Sequence, residues 1–313
     1  MRWLKQIGYV LCGLVVVACI APYLVPMPAR EPVPKKSPFV NGRHADVCGL
    51  RWHVQRWSPG QAPARARVLL IHGFAGSTFS WRLTGPALAE AGYEVLAVDL
   101  PPYGYSDRTS PDRPIAHCVA TIVADEAGAL PVVAVGHSMG ASVAAQVSLA
   151  LGDSAAALVL VDGGLGGRYR KPGLLTHLLA IPPLGRWAEV AAHYHMLQPE
   201  RFAATLAGAY GRAPTEAEVD GYRTPLLLAG TAPRILRRAP SEPAIDLAAL
   251  PEQVLIVWGR QDRWIPAEMA TRTQQQLPRA QLHWIDAAGH NPMETHPQEF
   301  MQALLGFIEP ALN

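Results

Sequence analysis

Charge is scarce in this chain. Asp, Glu, Lys and Arg make up 17% of the 313 residues and nearly cancel, leaving a formal net charge of +2. No basic run interleaved with aromatics is present, which removes the electrostatic footprint of a nucleic-acid binder. A phosphate-cradling loop of the Gly-x-x-x-x-Gly-Lys kind is missing as well. Cysteine is limited to 4 residues, none with the spacing of a metal site. Cys12 and Cys19 lie in an apolar segment, leaving Cys48 and Cys118 for at most one bridge. Isolated thiols in strand or helix settings are expected to be buried small hydrophobes rather than a disulfide. His193 and His195 stand two apart, so on a helix they face different ways and cannot hold one ion together. The reading expects no metal and no cofactor.

What is present begins with an uncharged stretch, Ile7 to Val25, preceded by Arg2 and Lys5. At about 20 residues it is long enough to cross a bilayer as a helix, and longer than the apolar core of most cleaved signal peptides. The expectation for residues 1–27 is a retained single-pass anchor. A cleaved signal, giving a secreted product, is one alternative. Acylation is another, because Val16-Val17-Ala18-Cys19 is similar to a weak bacterial lipobox. Pro22, Pro26, Pro28, Pro32, Pro34 and Pro38 follow. That density makes residues 28–41 an extended, semi-rigid spacer that holds the rest away from the membrane. Basic residues flank the apolar run on both sides, so charge bias does not orient it. By analogy with other signal anchors, the expected placement is the inner membrane, with the domain outside the cytoplasm.

Within the domain, Gly136-His137-Ser138-Met139-Gly140 follows the apolar run Pro131 to Val135. A serine between glycines at a strand-to-helix turn is lifted clear of the sheet, and glycine at both flanks lets the chain turn that tightly. Ser138 is therefore the candidate nucleophile. A nucleophilic serine needs a base to take its proton and a carboxylate to orient that base. Asp262 follows the apolar run Val254 to Trp258, and His290 follows Gln281 to Ile285. Both fall in loops beyond strand C-termini, where an open parallel sheet gathers its ligand site. Asp162 also ends a strand and is the rival acid. Leu69 to Ile71 runs into His72-Gly73-Phe74 and a loop of small residues. The backbone N–H groups of Phe74 and Met139 are the expected oxyanion donors.

Taken together, these motifs resemble the α/β-hydrolases, from about Leu50 to Ile308. The resemblance rests on His72-Gly73-Phe74 with Ser77 and Trp81, on Asp99-Leu100-Pro101-Pro102-Tyr103-Gly104-Tyr105-Ser106-Asp107, on the Ser138 elbow, on Gly259-Arg260-Gln261-Asp262, and on Gly289-His290. It implies Ser138 as nucleophile, Asp262 as acid and His290 as base. Pro102 departs from the pattern, since similar proteins carry glycine there. His72 is expected to orient a loop, His137 to pack under the elbow, and His296 to lie on the surface.

Half of the residues are apolar, enough for one large core. Leu50 to Trp57 reads as an early antiparallel strand. Arg67 to His72, Glu94 to Asp99, Pro131 to Gly136, Ala157 to Asp162, Val254 to Gly259 and Gln281 to Ile285 read as central strands. Helices separate them at Pro86 to Ala91, Ile115 to Ala129, Met139 to Leu151, Ala267 to Leu277 and Pro297 to Ile308. This alternation predicts an α/β fold, a mostly parallel sheet with helices on both faces. Residues 42–162 and 251–313 form the expected core. Residues 163–250, inserted after the sixth strand, show no strand pattern and read as a helical cap over Ser138, with helices at Leu174 to Ala180, Arg186 to Tyr194, Pro199 to Tyr210 and Glu216 to Arg238. Its apolar set Leu174, Leu175, Leu178, Leu179, Ile181 and Leu184 either faces a greasy substrate or packs the cap on the core.

The expected chemistry is two-step acyl transfer through an acyl-enzyme. A serine nucleophile argues against the epoxide hydrolase and haloalkane dehalogenase readings, because similar proteins with those activities use aspartate there. A carboxylic ester of an apolar substrate, lipid esters included, is the first expectation. Carbon-carbon bond hydrolysis of ring-cleavage products is the second, although Asn291-Pro292 stands where those relatives often carry tryptophan. A non-catalytic sensor of the same fold is the third.

Overall fold

The computed structural model describes residues 2–61, 63–126, 128–165, 174–237 and 245–312. Parts of the expected cap, 166–173 and 238–244, and the side chains of Leu174 and Leu175 lie outside the described residues.

Eight strands form one sheet: β1 (Gly42–Val47), β2 (Leu50–Trp57), β3 (Arg67–Ile71), β4 (Glu94–Val98), β5 (Val132–His137), β6 (Ala155–Val161), β7 (Val254–Gly259) and β8 (Gln281–Ile285). Their order across the sheet is β1-β2-β4-β3-β5-β6-β7-β8. The β1–β2 and β2–β4 pairs are antiparallel, and all the others are parallel. β3, β4, β5 and β7 are buried along their whole length. Parallel strands covered on both faces must bury both sets of side chains, so they read as continuous apolar runs rather than alternations.

The helices are α1 (Arg2–Leu24), α2 (Thr84–Glu90), α3 (Ile115–Ala124), α4 (Met139–Leu151), α5 (Leu174–Ala180), α6 (Pro182–Ala191), α7 (Pro199–Tyr210), α8 (Glu216–Leu227), α9 (Thr231–Arg237), α10 (Glu268–Gln276), α11 (Pro292–Thr295) and α12 (Pro297–Ala311). On one face of the sheet, Val119 and Ile122 of α3 and Val143 and Val147 of α4 close a core with Leu69, Ile71 and Ile256. On the other, Leu88 of α2 and Phe300, Leu304 and Phe307 of α12 pack on Leu70, Val135 and Val257. From β3 the chain steps to β4 on one side, then returns to lay β5 on the other. Ligand crevices of open α/β sheets form at such a reversal, outside the strand C-termini.

Several expectations change. Sequence reading misses β1, which is only half-buried and carries no apolar alternation. The helix expected from Glu216 to Arg238 breaks in two, because Pro225 ends the first piece and Gly230 takes a φ of +81°. Cys48 and Cys118, expected as separate buried thiols, form a disulfide with Cα atoms 5.9 Å apart. Cys48 lies in the β1–β2 turn and Cys118 in α3, so only the fold brings them together.

The proline-rich linker is not a free spacer. Glu31 O accepts the Ala229 N–H at 2.9 Å. Ser37 Oγ lies 2.9 Å from the buried His53 Nε2, whose Nδ1 donates to Asp99 Oδ2 at 2.8 Å. Asp99 Oδ2 also accepts from Tyr105 N, and Oδ1 accepts the N–H of Thr78. Burial pushes the Asp99 carboxyl up, but His53, His72 and these donors outweigh it and hold it below the usual aspartate range. Upstream, Trp187 Nε1 donates to Ala18 O at 3.0 Å and Arg186 Nε to Pro22 O at 3.3 Å, so α1 lies along α6. Among the described residues α1 is the one helix long and apolar enough to cross a membrane, over Lys5–Leu24.

Candidate active site

Ser138 stands between β5 and α4 at φ +53°, ψ −119°, a conformation costly for a residue with a side chain. The glycines on either side are required by contact. A Cβ on Gly136 would come within 2.2 Å of Gly140 O, and one on Gly140 within 2.5 Å of the Ile71 and His72 carbonyl oxygens. A third glycine escaped the sequence reading. A Cβ on Gly163, just past β6, would lie 2.4 Å from Ser138 O, so the elbow is clamped from beneath as well.

His290 Nε2 is 3.0 Å from Ser138 Oγ, and its Nδ1 is 2.7 Å from Asp262 Oδ2. The other Asp262 oxygen accepts the N–H groups of Trp264 and Ile265 at 2.7 and 3.0 Å. The carboxylate is thereby fixed, and its free lone pairs aim the imidazole. Of the two rival acids, Asp262 is the one that meets His290. Asp162 lies beside it and hydrogen-bonds Gly259 N through Oδ1 at 2.8 Å. The His290 loop is held from three further directions. Its N–H donates to Ala209 O at the end of α7 at 2.7 Å, its carbonyl accepts His137 Nε2 at 2.7 Å, and Trp264 lies against its ring with centroids 5.4 Å apart.

His137 packs under the elbow as expected. Burial, and then the proximity of His290, push its pKa well below the ordinary histidine value, so the ring is neutral and its one proton is on Nε2. His72 also orients a loop: Nε2 accepts Leu100 N at 2.9 Å, which puts the proton on Nδ1, donating to Gly73 O at 2.7 Å. His296 departs from expectation, being partly buried at the start of α12. His193 and His195 fall in a π-helical turn, where His193 rests on the Tyr194 ring and His195 meets Arg201.

Above Ser138 opens a cavity of about 330 Å³. Gly73, Phe74 and Ala75 form one wall of it. Ala75 takes a φ of +57°, so this loop leaves β3 in a turn that strand geometry alone does not give. Met139 opens α4, and first-turn amides of a helix have no intrahelical acceptor. The cap supplies Leu197, Phe202, Leu206, Leu226 and Ile235. Leu178, Ile181 and Leu184 do not line the cavity. They are 37%, 46% and 41% exposed, on α5, before α6 and in its first turn.

One polar cluster behind the cavity was not visible in the sequence. Glu294, fully buried on α11, accepts from Arg82, Tyr222, Tyr210 OH at 2.8 Å and Asn291 Nδ2 at 2.8 Å. Tyr222 OH also meets Ser80 Oγ at 2.9 Å, and Ser80, Tyr222 and Asn291 all line the cavity. Burial and then Glu294 push the Tyr210 phenol well above its usual value, so it remains a donor. These bonds tie α7 and α8 to the segment that follows His290.

A family model described as "Alpha/beta hydrolase family" matches residues 68–303, most of the chain. The chain belongs to this family. This alpha/beta hydrolase is 27% identical over 280 residues to the "Uncharacterized hydrolase YugF" of Bacillus subtilis, covering 85% of the chain and 97% of the relative. It is 25% identical over 292 residues to a 2-hydroxy-6-oxo-6-phenylhexa-2,4-dienoate hydrolase of Burkholderia cepacia, covering 87% and 96%. A solved structure of a membrane phospholipase A, 21% identical, aligns with 100% of the hydrolase and 99% of that chain at a TM-score of 0.63.

Proposed function

We propose that the protein is a serine hydrolase that cleaves carboxylic esters with an apolar acyl chain, lipid esters among them. The observation that carries this reading is the continuous chain Ser138, His290, Asp262, at 3.0 and 2.7 Å, opening into a cavity walled by aliphatic and aromatic side chains. In this reading His290 takes the Ser138 proton as the hydroxyl attacks the ester carbonyl, and Asp262 stabilises the imidazolium. The N–H groups of Phe74 and Met139 hold the oxyanion. His290 then protonates the leaving alcohol, and water releases the acid by the same route. The Burkholderia cepacia relative, named for a dienoate substrate, leaves carbon-carbon cleavage as a competitor. A dienoate substrate carries a carboxylate, and no Lys or Arg lines the cavity among the described residues, which favours an uncharged ester.

Membrane attachment through α1 belongs to the same reading. Leu178, Ile181 and Leu184 expose apolar surface from α5 to the first turn of α6, the helix that lies along α1, where a bilayer surface would cover it. The Cys48–Cys118 bridge supports a location in an oxidising compartment, outside the cytoplasm.

A fluorophosphonate probe on the purified full chain tests the chemistry, beside Ser138→Ala. The native protein should label and the variant should not, with p-nitrophenyl esters of medium chain length turned over faster than acetate. An unlabelled native protein would favour a binding module. Faster turnover of a ring-cleavage dienoate than of any ester would move the assignment to carbon-carbon hydrolysis.

A further inference from the structure

Asp162 is the feature that the proposed mechanism leaves unused. It directly follows β6 and is fully buried, with a φ of +42°, a left-handed conformation uncommon for a residue with a side chain. Its Oδ1 accepts Gly259 N, whereas Oδ2 is buried with no donor within reach. Buried oxygens without partners are rare enough to need a reason. The group within reach is another carboxyl: ligand atoms of Asp162, Asp262 and His290 all lie within 4.8 Å of one another.

Two carboxylates are both acceptors, so a hydrogen bond between them exists only if one holds a proton. Asp262 already accepts three N–H donors, from His290, Trp264 and Ile265, while Asp162 accepts one, from Gly259. A proton shared between the two carboxyls therefore belongs on Asp162. Burial, then the neighbouring Asp262, drive the Asp162 carboxyl well above the usual aspartate range, in agreement with this placement.

We propose that Asp162 is a positioning residue for Asp262, a buried neutral carboxylic acid whose Oδ2–H donates to the Asp262 carboxylate and holds it against His290. The inference rests on the Ser138, His290 and Asp262 reading above. No proton leaves Asp162 in the reaction; it serves as a fixed donor, and Asp262 remains the anion. The titratable groups facing it are Asp262 from the loop after β7 and His290 from the loop after β8, with Gly259 contributing only a backbone N–H.

Two substitutions separate this role from packing. Asp162→Asn keeps a donor and cannot ionise; Gly259 N–H holds the amide oxygen in place, which turns Nδ2 toward Asp262, and asparagine tolerates positive φ. Asp162→Gly suits the backbone conformation and removes the donor. The assay is the pH dependence of kcat/KM on a p-nitrophenyl ester with the full-length protein, with thermal melting alongside. Asp162→Asn should stay within about threefold of the native enzyme with its acid limb in place. Asp162→Gly should lose roughly tenfold or more in kcat with little change in KM, because Asp262 is less firmly placed, and its acid limb should move to higher pH. Addition of the donor back as Asp162→Ser should recover part of the loss. The proposal is overturned if Asp162→Asn falls as far as Asp162→Gly, if its acid limb drops by about a unit as it would on loss of a second anion, or if Asp162→Gly is fully active. Turnover that survives Ser138→Ala in the same series sinks the site reading itself, which is a separate result.

Discussion

The Cys48–Cys118 bridge closes a span of 70 residues that contains β2, β3, β4 and α2. Its removal is calculable. For a loop of that length the chain-entropy relation gives about 15 cal/mol/K of unfolded-state entropy suppressed by the bridge, or about 4.4 kcal/mol at 25 °C. For a domain above about 150 residues, each kcal/mol moves the melting temperature by about 2–4 °C, so a fall of roughly 10 °C is expected. Cys48→Ala/Cys118→Ala is the right perturbation, because Cys118 is buried and serine there would add an unpaired hydroxyl. The assay is thermal unfolding of the detergent-solubilised full chain, with thiol titration after unfolding. Without reductant only Cys12 and Cys19 should titrate, and all 4 cysteines after reduction. Esterase activity at 25 °C should stay within about twofold, since neither bridged cysteine lines the cavity. A melting point within about 2 °C of the native value, or four titratable thiols without reductant, would refute both the bridge and the compartment inferred from it.

The remaining expectations concern the site and its supports. Gly163→Ala sets a Cβ 2.4 Å from Ser138 O and should cost about a hundredfold in kcat, measured on a short p-nitrophenyl ester, with Ser138→Ala as the floor. Asp262→Asn should lower kcat by about three to four orders of magnitude while KM moves little, because the imidazole tautomer is no longer fixed; a loss under tenfold would point to a different acid. Glu294→Gln leaves the partly exposed Arg82 without its closest anion and should destabilise by about 2 kcal/mol, read as a lower urea midpoint. Asp162 gives a pH test of stability. Its folded pKa lies above its unfolded value of about 3.8, so the native state binds the extra proton, and stability falls as pH rises from there toward the folded pKa. Asp162→Asn removes that slope and should gain on the native protein at alkaline pH in pH-dependent melts.

What was legible in the sequence is what local pattern controls. Ser138, Asp262 and His290 each follow an apolar strand, and the elbow glycines announce the tight turn, because the steric demand falls on residues two positions from the serine. The parallel strands were legible for a similar reason, since burial on both faces makes the sequence continuous in apolar character. Features that depend on which segments meet were not legible. Cys48 and Cys118 are brought together by a hairpin turn settling on α3. Gly163 matters only because β6 lies beside β5, and Asp162 only because β6 also lies beside β7. Glu294 gathers partners from three other segments, at Arg82, Tyr210 and Tyr222, and none of those side chains marks itself in isolation. The outward leucines of α5 and α6 were ambiguous because an apolar stripe does not say whether protein or lipid covers it.

The contact between Ser37 and His53 bears on where this protein can be cut. A soluble fragment trimmed to begin at Gly42, the start of β1, would discard Ser37 and leave an imidazole nitrogen buried and unsatisfied. That imidazole holds Asp99, and Asp99 holds the amide of Thr78, three residues after Ala75 in the loop beside Ser138. The linker therefore forms part of the scaffold of the candidate site, and a fragment meant to test catalysis has to begin upstream of Glu31, where the linker bonds to the body of the protein at Ala229.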